Sequence, residues 1–93
     1  MSAQGSGDDG QLLRFPTDYP IKVLGRPTPE FRARVRAIFM KHVAVIQTDR
    51  ITERLSANGS FLAISYVIRA DSREQVTALV SELTTCEGVL MLL

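Results

Sequence analysis

From Asn58 to Ala70 the chain reads Asn-Gly-Ser-Phe-Leu-Ala-Ile-Ser-Tyr-Val-Ile-Arg-Ala, with a large apolar residue at every second position. Successive side chains of a strand point to opposite faces. Leu62, Ile64, Tyr66 and Ile68 therefore share one face, and Phe61, Ala63, Ser65, Val67 and Arg69 the other. This is the longest β-branched and aromatic run in the chain and predicts a central strand. Asn58-Gly59 predicts the turn that leads into it, because both residues tolerate positive φ. The first face is expected to line a core and the second to stay open.

Shorter patterns flank this strand. Tyr19 to Leu24 predicts a first strand, with Ile21 and Val23 inward, Lys22 outward and Gly25 at its end. The period then changes from two to 3.6. Phe31, Val35, Ile38, Phe39 and His42 form one arc of a helix from Glu30 to His42, with Thr28 as N-cap and Pro29 at the first helical position. Val45 to Leu55 is polar and rich in Thr and Arg, and predicts a strand suited to a sheet edge. Asp71 or Ser72 caps a second helix, through an Asp71–Glu74 or a Ser72–Gln75 capping box. Its buried stripe is Val76, Leu79, Val80 and Leu83, and Gly88 stops it near Cys86. Val89 to Leu93 predicts a last strand that buries Val89, Met91 and Leu93 and turns Leu90 and Leu92 outward.

The order β-α-β-β-α-β, with right-handed crossovers, folds most compactly as an α+β, ferredoxin-like sandwich. Its four-stranded antiparallel sheet has the order 4-1-3-2, with both helices on one face. A length of 93 residues suits one such domain, expected over residues 12–93. Met1 to Gln11 is polar and Gly-rich, which predicts a disordered N-terminal tail. The tail lacks the basic and apolar regions of a signal peptide.

Charge and candidate chemistry narrow the function. The formal net charge of +1 gives no global field for nucleic acid or an anionic membrane. No apolar run approaches the ~20 residues of a membrane span. Cys86 is the one cysteine, which excludes an intrachain disulfide and fits a cytoplasmic protein. His42 and Cys86 end antiparallel helices, and a helix length of roughly 20 Å separates such ends. That is too far for a thiol–imidazole pair. Neither a metal-ligand set nor an acid–base carboxylate pair is present, so the sequence predicts no enzyme, metal or cofactor.

Binding chemistry has more support. The open face collects Lys22, Leu24, Phe61, Ala63, Val67, Leu90 and Leu92, a patch more contiguous than scattered surface leucines. It predicts a homodimer, a protein partner or an apolar ligand, unless Leu12 to Phe15 cover it. The loop after the first strand is a second candidate. Gly25 lets backbone approach a ligand, and Arg26 with the helix start at Thr28 favours a small carboxylate. Nucleic acid is the rival partner, because RNA-recognition domains share this fold. The open face offers Phe61 alone for stacking, so an RNA-contacting accessory role would fall to Arg26, Arg32, Arg34, Arg36 and Lys41 on or beside the first helix.

Four stretches also carry a family likeness: Leu12-Leu13-Arg14-Phe15-Pro16-Thr17, Lys22-Val23-Leu24-Gly25, Lys41-His42 and Asn58-Gly59-Ser60-Phe61. In order and spacing they resemble the YbeD-like family of small bacterial cytosolic proteins, over Leu12 to Leu93. The chain departs from that pattern at Arg14, where an acidic residue is usual, and at Leu90, where members can carry a charge. The resemblance implies a ferredoxin-like fold close to ACT-type regulatory domains, a lipoate-linked regulatory role, and no catalytic residues.

Overall fold

The computed structural model describes residues 14–93. The expected tail over residues 1–11, and Leu12 and Leu13 of the proposed cover, lie outside the described residues. The elements are β1 (Thr17–Gly25), α1 (Pro29–His42), a single 3-10 turn (Thr48–Arg50), β2 (Ile51–Leu55), β3 (Leu62–Ala70), α2 (Arg73–Thr85) and β4 (Val89–Leu92). They form a four-stranded antiparallel sheet in the order β2-β3-β1-β4, which is the predicted order read from the other edge.

β3 sits inside the sheet because it is apolar enough to be covered by both neighbours and by the helices. It pairs with β1 from Leu62↔Gly25 to Ala70↔Thr17 and with β2 from Leu62↔Leu55 to Tyr66↔Ile51. Leu62, Ile64, Tyr66 and Ile68 are all buried, as the alternation predicted. Phe31, Val35, Ile38 and Phe39 of α1 and Val76, Leu79 and Leu83 of α2 close over them. Each such burial is worth about 2 kcal/mol against exposure. Phe39 and Tyr66 stack face to face, with ring centroids 3.8 Å apart and planes 5° from parallel. Tyr66 is thus a core residue, and burial pushes its phenol pKa up.

Both helix starts follow the capping rules. The Phe31 N–H donates to the Thr28 hydroxyl at 3.1 Å, with Pro29 at the first helical position. Ser72 caps α2 by accepting from the Gln75 N–H at 3.1 Å. The Gln75 side chain reaches back past it and accepts from the Asp71 N–H at 2.6 Å. The other Gln75 side-chain atom donates to the His42 carbonyl at 2.8 Å, so the box also ties the end of α1.

The structure corrects two strands. The polar strand expected over Val45 to Leu55 is paired only from Ile51. Before it the chain must cross from the helix layer to the sheet edge. Ile46 turns in against the core, Val45 stays 70% exposed, and the 3-10 turn delivers Arg50 to the sheet. The second correction concerns β4. Val23 pairs with Leu92 and Leu24 with Met91, but Gly25 pairs with Val89, so Leu90 is an extra, bulged residue. One inserted residue reverses the face of everything beyond it. Val89 and Leu92 therefore pack against the core, while Leu90, Met91 and Leu93 are exposed. Leu92 does not belong to the open face, and Met91 takes its place.

Gly25 is where the bulge begins, and its lack of a side chain is required. A Cβ there would collide with the Phe31 ring and lie 2.6 Å from the Gly88 carbonyl oxygen. Strand β1, the first turn of α1 and the turn before β4 all meet at this point. Gly59 has φ +77 and completes a six-residue loop from Ser56 to Phe61, longer than the tight two-residue turn that Asn-Gly can form. The Asn58 side chain holds that loop by accepting from the Ser60 N–H and the Ser56 hydroxyl, each at 3.0 Å.

Candidate functional site

The strand register sets the open face in cross-strand rows. At the end nearest the β2–β3 loop lie Met91, Leu24, Ala63 and Arg54, one from each strand. The next row holds Lys22, Ser65 and Thr52, and Lys22 exchanges backbone hydrogen bonds with Leu93 at 2.8 and 3.2 Å. Pro20 and Val67 follow, then Asp18 and Arg69. Beside the first row, Leu24, Ala63, Phe61 and Leu55 floor a cleft of about 310 Å³ with Arg54 at its rim. A neighbouring cleft of about 380 Å³ lies among Pro20, Ile21, Lys22, Ser65 and Leu93. Phe15, the last residue of the segment considered as a cover, is half-buried and packs against the core.

Arg26 has a defined task. Its guanidinium lies 4.8 Å from the Phe61 ring centroid and donates to the Ser60 carbonyl at 3.3 Å. Phe61 is held in place at the cleft floor by this contact and by its N–H, which donates to the Ser56 hydroxyl at 3.1 Å. In the loop from Gly25 to Thr28, the groups proposed to hold a carboxylate also make contacts within the fold. The space at Gly25 is taken by Phe31 and Gly88, and the Thr28 hydroxyl caps α1. Arg26 does not line the open-face cleft itself but contacts Phe61, which does.

At the far end of the face, Asp18 joins two cations. It accepts from Arg50 at 3.0 Å and faces Arg69 at 3.5 Å. The hydrogen bond from Arg50 holds the Asp18 carboxyl below its ordinary pKa. Arg50 and Arg54 were missed from the sequence as members of this surface. Counting the alternation back from the Leu55–Leu62 pair would have placed Arg54 opposite Ala63. Arg50 has no such signal, because it reaches the face from the 3-10 turn.

The helix side reads differently. Arg32 donates from one nitrogen to both Glu53 oxygens, at 3.0 and 3.2 Å. Lys41 and His42 share Glu82, at 3.1 and 2.7 Å, and the His42 contact, then Lys41, lowers the Glu82 pKa. Three of the five cations proposed for RNA contact are thus engaged: Arg26 on Phe61, Arg32 on Glu53 and Lys41 on Glu82. Cys86 is half-buried at the end of α2, and its thiol faces the Glu87 carbonyl at 3.5 Å. Among the described residues, no group of three or more His, Cys, Asp and Glu could hold a metal ion. None of the described helices is long and apolar enough to cross a membrane.

A four-stranded antiparallel sheet in this order, with both helices on one side and the opposite face open, is a ferredoxin-like fold, the fold that ACT domains also have. The solved ACT domain from GTP pyrophosphokinase of Chlorobium tepidum superposes with a TM-score of 0.61 at 19% identity, over 83% of this chain and 97% of that one. The C-terminal domain of the MgtC protein from Mycobacterium tuberculosis superposes with a TM-score of 0.55 at 18% identity, over 87% and 88%. A family model described as a protein of unknown function (DUF493) matches residues 10–93, and the chain belongs to that family. Relatives include a UPF0250 protein of Hahella chejuensis, 33% identical over 95% of this chain and 97% of its own. Another, from Ralstonia nicotianae, is 34% identical over 78% and 75%. The YbeD-like resemblance read from the sequence is this same grouping, and none of these family descriptions names a reaction.

Proposed function

We propose that this chain is a non-enzymatic binding module of regulatory type, working through the open face of its sheet. The observation that carries the reading is the row of Leu24, Ala63 and Met91 beside Phe61, half-buried or exposed where an open antiparallel face ordinarily turns polar. Phe61 is braced by Arg26 and Ser56, so the floor is preformed. The ACT-like fold supports a regulatory role without adding a residue to it. Ligands that suit the face have an apolar body and a carboxylate, a class that includes lipoate. The rival, RNA contact through α1, loses support because Arg32 and Lys41 already have acidic partners.

The test is an NMR titration of the labelled chain with carboxylates of rising chain length, lipoate among them, and with unlabelled chain. Shifts are expected at Leu24, Phe61, Ala63 and Met91. Shifts confined to the outer sides of α1 and α2 would sink the reading.

A further inference from the structure

The open face is charged as well as apolar, and the charge is one-sided. Lys22, Arg54 and Arg69 project from it, and Arg50 reaches it from the 3-10 turn. Within the paired strands its one acid is Asp18, already held by Arg50 and Arg69. The other strand carboxylate, Glu53, is drawn to the helix side by Arg32. Lys22 and Arg54 make no side-chain hydrogen bond or ion pair among the described residues, and they stand at the rims of the two clefts. The chain as a whole carries only +1, so this surface concentrates positive charge that the rest of the molecule offsets.

We infer that the open face docks an acidic, amphipathic helical segment of a partner protein. This rests on the binding-module reading above and specifies its partner. Apolar side chains of the segment enter the cleft floored by Leu24, Ala63 and Phe61, and its carboxylates meet Arg54 and Lys22. The dimensions agree. Leu24 to Pro20 spans four strand residues, about 13 Å, which is about nine residues of helix. A segment of that length presents apolar anchors at i, i+4 and i+7 over both clefts. A second copy of this chain laid face to face would oppose like charges. Single-stranded RNA would meet one aromatic, Phe61, whose ring already carries Arg26, with aliphatic residues in place of further stacking platforms.

The experiment is selection of a displayed library of random 16-residue peptides on the whole chain. Synthetic peptides of the enriched sequences are then measured by fluorescence anisotropy and mapped by NMR. Enriched peptides should combine carboxylates with large apolar residues at helical spacing, and bind more weakly as salt rises. Lys22→Glu with Arg54→Glu should weaken them about tenfold or more, while Arg34→Glu on α1 leaves affinity unchanged. Lys22→Gln with Arg54→Gln, checked by far-UV circular dichroism, should give a smaller loss in the same direction and guards against misfolding of the reversal. Peptides that map to the open face without acids, or ignore both double variants, overturn this inference and leave the binding-module reading standing. An 18-nucleotide RNA that binds the same face more tightly than the peptides also overturns it. No enrichment, or enrichment only on the helix side, overturns this inference, while the binding-module reading stands or falls on the carboxylate titration.

Discussion

The two edges of the sheet solve the same problem in opposite ways. Strand β2 is short, exposed and charged: Glu53 and Arg54 lie on its two sides, and Arg50 precedes it. Such an edge discourages pairing with another chain. Strand β4 carries no charge from Val89 to Leu92, and a bulge interrupts it at Leu90. A bulge twists an edge away from flat pairing without spending a charged residue. The comparison teaches that an apolar edge need not be an adhesive one, and that irregular backbone can substitute for polar composition.

The bulge geometry can be broken most directly at Gly25. Gly25→Val places atoms where the Phe31 ring and the Gly88 carbonyl already sit. Overpacking of this kind costs about 3 kcal/mol, seen as a lower urea midpoint, and an unchanged midpoint would mean that β4 is not docked as described. The parity beyond the bulge is tested by a pair of variants. Leu92→Ala should cost about 1–2 kcal/mol, less than a fully buried leucine, while Met91→Ala should cost under about 0.5 kcal/mol. Equal losses would remove the bulge.

The β2 edge yields a smaller, pH-dependent effect. Asp18 has its pKa lowered in the folded state, chiefly by the hydrogen bond from Arg50. Its contribution is therefore complete above its ordinary value near ~4 and fades as pH falls through the lower folded value. Asp18→Asn should flatten the acid limb of a stability-against-pH curve and leave β4 untouched. A curve identical to that of the parent chain would show that the Arg50 contact does not anchor this edge.

How far the sequence reveals this molecule depends on whether a stretch keeps a single period. Leu62 to Ile68 alternate without interruption, and Phe31 to Phe39 hold helical spacing, so the core and the sheet order were readable. Thr28 was readable as a cap because a cap needs only local geometry, whereas Ser72 was readable only as one of two candidates beside Asp71. Leu92 was assigned to the wrong face because a bulge lies in the pairing of two strands distant in the chain, and nothing within Val89 to Leu93 announces it. Val45 was taken into a strand because its residue type favours one, although no neighbour pairs with it. The open-face patch was legible in Leu24, Phe61 and Ala63. The cationic rim was legible only in part, since Arg54 depends on the β2 register and Arg50 on a turn.

The register of β1 also has a kinetic meaning. It pairs Gly25 with Val89, from nearly opposite ends of the described chain, whereas Leu55 and Leu62 meet across one loop. Closing the longer loop costs more entropy before any contact rewards it. The β2–β3 hairpin is therefore expected to gain amide protection in pulse-labelled hydrogen exchange before β4 does; simultaneous protection would contradict this. Until β4 arrives, one side of β1 stands unpaired, and the molecule passes through its most association-prone form while it is still folding.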